Sequence, residues 1–239
     1  MNNIFLALTL LLSTKPLLAA SKVFESTNKK SPLFELYTSE GCSSCPPADD
    51  FLQGFEKDKS LWKDYIPIAF HVDYLDYLGW KDTFSTADYS QRQQSYARLW
   101  KDEGVFTPAF VLDGKLWQNW YRSALPSRID EPAPKLKLTL NAESAALDVE
   151  GLKESKGCYK ALFAPLLKHS ANKIAAGENK GRILTHSFAA LALIAVPLQR
   201  VGERGSALTK ISLKKATAIV GWIEKCSSPG AVQAVGGDI

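Results

Sequence analysis

Cys42 and Cys45 are the residues best placed to do chemistry. The run Cys42-Ser43-Ser44-Cys45 follows an apolar stretch, Leu33 to Tyr37, and precedes a helix-like segment from Pro46. Two thiols at this spacing can close a small disulfide ring. A thiolate forms more readily there than at an isolated cysteine, and the second thiol is near enough to resolve a mixed disulfide. The bland alternative is a fixed disulfide that only staples the loop. Two neighbours temper the chemistry. Pro46 disfavours helical geometry at Cys45, so the helix is expected to start one turn late. Asp49 and Asp50 then compete for the positive helix end, which predicts a thiol of modest acidity.

Other residues are candidates by type. Glu35 sits within an otherwise apolar strand, and a buried carboxylate near the dithiol could accept a proton from Cys45 during resolution. An ion pair is the competing role. Tyr74, Tyr77 and Trp80, spaced by three, could form an aromatic wall for extended polypeptide, or a satellite core. His71 and Asp73 end the second expected strand. Cys42, Cys45 and His71 would make an incomplete zinc set, with no convincing fourth ligand. The sole Met is Met1, so a Met-assisted copper site is excluded once a leader is removed. His71 is read as hydrogen-bonded within a packed strand, no metal is assigned, and no cofactor is expected beyond the cysteine pair. Gly177 to Arg182 reads as a turn, and His186 is ambiguous.

These residues need elements to position them. Strands are expected over 33–38 and 65–72, a helix over 46–57 and a polar helix over 85–100. A strand over 106–112 leads through the hairpin signal Asp113-Gly114 into a further strand, and 120–128 suggests a short closing helix. Glu131-Pro132-Ala133-Pro134 reads as a linker. Beyond it, Leu136, Leu138 and Leu140 share a strand face. Residues 146–149, 158–167, 183–188, 190–198, 207–213 and 217–226 are further strand candidates, which together suggest a β-sandwich. The Ala-rich stretch 189–195 suits a helix equally.

The chain has 239 residues with 46% hydrophobic composition, enough for two cored domains. Its formal charge of +4 is dispersed, which argues against nucleic acid as a partner. Residues 1–20 read as a signal peptide, too short in its apolar run to span a bilayer. Export to the periplasm or medium follows, with no stable membrane insertion after cleavage. Four cysteines in an exported chain fit two disulfides. Cys42 pairs most economically with Cys45, leaving Cys158 with Cys226.

The blocks Glu35 to Asp49, His71 to Asp82, Thr107-Pro108 and Gly177 to Arg182 resemble those of a bacterial family of exported thioredoxin-like proteins known only as a domain of unknown function. The resemblance covers roughly residues 33–190. It implies an α/β thioredoxin-like domain over 31–130, a mixed central sheet with flanking helices, followed by a mostly-β, sandwich-like domain over 135–239. It also implies Cys42 as the attacking thiolate and a cis Pro108. Thr107 would offer backbone groups to an extended substrate strand. The match of the Gly177–Arg182 block suggests Glu178 or Arg182 reaching the first domain. The leading expectation is a thiol–disulfide oxidoreductase acting on protein or peptide thiols and disulfides. A non-catalytic binding or assembly module with a structural disulfide is the alternative, and a metal carrier the third.

Overall fold

The computed structural model describes residues 21–101, 104–122, 130–153 and 157–239. The expected signal peptide and most of the expected 120–128 helix lie outside these residues. In chain order the first half runs β1 (Lys22–Glu25), β2 (Leu33–Thr38), α1 (Pro46–Gln53), β3 (Ile66–His71), α2 (Ala87–Trp100), β4 (Ala109–Leu112) and β5 (Lys115–Leu116). The described elements of the second half are strands: β6 (Lys135–Leu140), β7 (Ser144–Glu150), β8 (Tyr159–Lys173), β9 (Ile183–Ala190), β10 (Ile194–Pro197), β11 (Gln199–Val201), β12 (Arg204–Lys210), β13 (Ala218–Lys225) and β14 (Ala231–Asp238).

The α/β thioredoxin-like fold class is overturned. The protein is mostly β, at 45% strand and 15% helix, with two α-helices and two sheets among the described residues. One nine-stranded sheet runs β14-β13-β8-β9-β3-β2-β4-β5, with β10 beside β8. The second sheet has five strands in the order β1-β6-β7-β12-β11. The large sheet crosses the expected linker, because β9 pairs in parallel with β3, Ala69 opposite Ala189. The physical reason is burial. Every residue of β2 and β3 is buried, so neither can stand at a sheet edge, and β9 covers β3. The fifteen-residue β8 joins the two regions, pairing with β13 over Tyr159–Leu166 and with β9 from Leu166 to Lys173.

Two apolar cores result. Phe34, Phe55, Tyr65, Phe110 and Trp117 pack around α1 on one face of the large sheet. Tyr37, Phe70, Tyr89 and Tyr96 pack against α2 on the other. The second core lies between the sheets, where Leu136, Leu138, Leu147 and Val149 meet Phe163, Ile219 and Ile223. The alternation of β6 delivers the three leucines to that core as expected. The Ala-rich segment 189–195 is the end of β9, a bend and the start of β10, rather than a helix. Asp113 and Gly114 both have positive φ, 49° and 83°, which turns β4 into β5 as the hairpin signal predicts.

One close approach fixes how the sheets meet. A Cβ built on Gly237 of β14 would lie 2.2 Å from the ring of Phe24 of β1. Gly237→Ala is therefore expected to destabilise the fold by about 1–3 kcal/mol through overpacking. The urea unfolding midpoint measures it; no shift would mean that Phe24 rotates away freely.

Candidate functional site

β2, β3 and β4 bring the expected site residues to one end of the large sheet. Thr38 pairs with His71 and Tyr37 with Ala109. The loop to Cys42, the end of β3 and Thr107-Pro108 therefore share that end. The Thr107–Pro108 bond is cis. Cys42 and Cys45 form a disulfide with Cα atoms 5.4 Å apart. α1 begins at Pro46 rather than one turn later, and Cys45 is its N-cap with φ −76° and ψ −35°. Pro fits that first position because its missing N–H has no intrahelical role there. Cys42 is 6% exposed and Cys45 fully buried, while Ser43 and Ser44 between them face solvent.

The second half of the chain holds this loop. Asn179 donates from Nδ2 to the carbonyls of Glu40 and Cys42, both at 2.9 Å. The Ser43 N–H donates to Glu178 at 3.2 Å. Glu178 does reach the dithiol loop, and Arg182 supports the same turn by donating to Asn179 Oδ1 at 2.7 Å. Gly177, at φ 75°, closes against Trp80. Asn179→Leu is expected to cost about 2–3 kcal/mol, since two buried carbonyls lose their donor. It should also loosen residues 40–45, which amide hydrogen exchange would show.

Beneath the disulfide lies a buried polar cluster. Asp49, one turn along α1 from Cys45, accepts from Thr38 Oγ1 at 2.9 Å instead of facing the thiols. Its other oxygen faces His186 Nδ1 at 3.8 Å. His186 Nε2 donates to Glu40 at 3.1 Å, and Glu40 also accepts from Asn172 at 2.6 Å and Trp80 at 2.8 Å. Burial pushes the Glu40 carboxyl up, but those donors outweigh it and hold it down at about 2. Burial pulls His186 down, yet Asp49 and Glu40 prevail and raise it to about 9. His71 Nδ1 lies 2.7 Å from Asp82, which also accepts the Glu40 N–H at 2.7 Å. Donor atoms of Asp49, His71 and His186 all lie within 4.8 Å of one another.

Several expected roles need correction. Glu35 does not reach the dithiol. It faces α2, on the sheet face opposite α1, where it binds Arg92 through both oxygens at 2.7 and 3.1 Å. Strand alternation places it there, because Phe34 and Leu36 take the α1 side. Tyr74, Tyr77 and Trp80 do not form one wall. The Tyr74 hydroxyl donates to Gln93, Trp80 donates to Glu40, and Tyr77 is 80% exposed. The set of Cys42, Cys45 and His71 offers no thiolates, because both sulfurs are in the disulfide. Sequence reasoning missed the partners of His71 and His186, namely Asp82, Glu40 and Asp49. The signal was present: Glu40 and Asp49, His71 and Asp82 lie inside the recurring blocks.

Fold and site define a mostly-β protein with a C-x-x-C disulfide at a helix start, seated on a buried His–carboxylate cluster. The chain belongs to the family described as proteins of unknown function (DUF1223), whose model matches residues 33–223. No curated protein matches it. Among solved structures it resembles a structural-genomics protein from Agrobacterium tumefaciens, with TM-score 0.63 and 18% identity over 90% of this chain and 96% of that one. It also resembles HBP35 of Porphyromonas gingivalis, with TM-score 0.56 and 13% identity over 90% of this chain and 76% of that one. At these identities the likeness concerns the fold alone.

Proposed function

We propose that this protein is an exported thiol–disulfide oxidoreductase working through Cys42 and Cys45. The observation that carries the reading is the setting of that disulfide. It closes a ring only three residues in separation, against 68 for Cys158–Cys226. In the chain-entropy model a ring so small stabilises by about 2 kcal/mol, roughly half the contribution of the long one. Backbone and side-chain bonds from Ser39, Glu178 and Asn179 already hold the loop. A staple there adds little, whereas a reversible dithiol at a helix start has a use.

In the reducing direction, the Cys42 thiolate attacks a substrate disulfide sulfur. A mixed disulfide forms and one substrate thiolate leaves. The Cys45 thiolate then attacks Cys42, releasing the second substrate thiolate and restoring the ring. The helix N-terminus favours the thiolate. Thr107 and Pro108 lie at the same sheet end, and Phe106 beside them is 48% exposed, which suits an extended peptide. Two disulfides suit an oxidising compartment, which supports export. Among the described residues no helix is long and apolar enough to cross a membrane.

Cys45→Ser is expected to trap mixed disulfides with protein thiols, while Cys42→Ser traps none and loses turnover of a model disulfide peptide. Absence of adducts and of turnover in the wild type would sink the reading. A second reading, a binding module with a permanent disulfide, is favoured by the burial of both sulfurs. A reduction potential below about −300 mV would select it.

A further inference from the structure

We propose that Asp49, His71 and His186 form a binding site for a divalent transition metal, zinc above all. The site is independent of thiol chemistry. His71 must carry a proton on Nδ1 to bond Asp82, which is fully buried and accepts from the backbone N–H groups of Glu40 and Phe84 as well. His186 uses Nε2 toward Glu40. Each ring keeps a second nitrogen, His71 Nε2 or His186 Nδ1, outside those bonds, and His186 Nδ1 faces Asp49. Both of these nitrogens are buried and have no hydrogen-bond partner. Such atoms in a protein interior call for a ligand.

A proton serves only part of this need. Placed on His186 Nδ1, it faces Asp49 at 3.8 Å, beyond hydrogen-bond reach, and His71 Nε2 is still unserved. A metal ion would serve all three donors at once. Two imidazoles and one carboxylate are a zinc donor set, and imidazole nitrogen disfavours magnesium and calcium. The outer contacts fit too. Metal-bound histidines commonly donate their other N–H to a carboxylate, here Asp82 and Glu40. Three buried carboxylates, Glu40, Asp49 and Asp82, give the pocket negative charge for a dication to offset.

Donors around one tetrahedral zinc lie about 3.4 Å apart. The three donors here lie within 4.8 Å of one another, so an ion would draw them closer together. A cavity of about 120 Å³ between α1 and β9, lined by Pro46, Asp49, Asp50, Arg182 and Thr185, reaches the Asp49 side of the cluster. Three protein donors would leave the fourth tetrahedral position to a water.

The test uses the full chain with Cys42–Cys45 kept oxidised, so that no thiolate competes. Chelator-stripped protein is titrated with Zn²⁺ by calorimetry, and bound metal is counted after desalting. One Zn²⁺ per chain and a rise in Tm are expected. His186→Asn should weaken binding at least about tenfold, and Asp82→Asn, which removes the carboxylate that orients His71, by a similar factor. Substitution of both Cys42 and Cys45 by Ser should leave binding unchanged. A wild type that retains no zinc, or loses it only with the cysteines, overturns the proposal. Should His186→Asn fail to fold, the wild type loaded with Co²⁺ decides: histidine ring-nitrogen signals shifted by the ion support the site, and unshifted ones overturn it.

Discussion

Replacing Arg92 with methionine is expected to destabilise the protein by about 3–5 kcal/mol. Arg92 is buried in α2 and binds Glu35 of β2 and Glu224 of β13 at 2.7 and 2.6 Å. The hydroxyls of Tyr37 and Tyr96 donate to Glu35 at 2.9 and 2.5 Å, and Trp222 donates to Glu224 at 2.7 Å. Removing the cation leaves the buried Glu35 carboxylate with only the two tyrosine hydroxyls to hold its charge. Burial already raises its pKa, and Arg92 and Tyr96 oppose that rise. Without Arg92 the rise is larger. A carboxyl raised in the folded state costs stability as pH climbs above its unfolded value, near 4.5. The deficit of Arg92→Met should therefore be smallest below that pH and grow toward neutrality. Denaturant titrations of both proteins across pH would show it; a deficit independent of pH would mean that packing, not charge, is at stake. Adding Glu35→Gln to Arg92→Met should recover part of the loss.

The second large effect concerns the disulfide remote from the candidate site. Cys158 immediately precedes β8 and Cys226 immediately follows β13, with the Cys226 N–H bonded to the Cys158 carbonyl at 3.0 Å. Substituting both by alanine is expected to cost about 4 kcal/mol in the chain-entropy model, against about 2 kcal/mol for the Cys42–Cys45 pair. Urea midpoints of the two double variants give the comparison directly. A larger loss at Cys42–Cys45 would reverse that ranking and weigh against the proposed redox role of Cys42 and Cys45.

Local features were legible from residue patterns. The strand before Cys42, the helix after it, the strand over 66–71 and the Asp113-Gly114 turn all follow from periodicity and turn chemistry. So does the inward row of Leu136, Leu138 and Leu140. Partnership across the chain was not legible. Ile183 to Ala190 has the composition of any half-buried strand, and nothing in it names β3 as its neighbour. Strand pairing is set by burial on both sides, which periodicity within one segment does not encode. The same blindness hid the polar cluster. His71 and His186 each look like a lone histidine in a strand, and they meet at 4.8 Å between ring centres only because two distant strands pair. Glu35 misled for the opposite reason. Its sequence distance from Cys42 is short, but the alternation of β2 sends it through the sheet.

The pairing of β9 with β3 also sets an order of events in time. His186 and the Glu40 it bonds are 146 residues apart. During synthesis the Cys42–Cys45 segment therefore emerges long before the strand and turn that shelter it, and contacts of such range form late. In that interval both thiols are open to whatever oxidant or thiol is at hand. The arrival of Asn179 and His186 ends that exposure, so the shelter of the Cys42–Cys45 loop is acquired last, as folding completes.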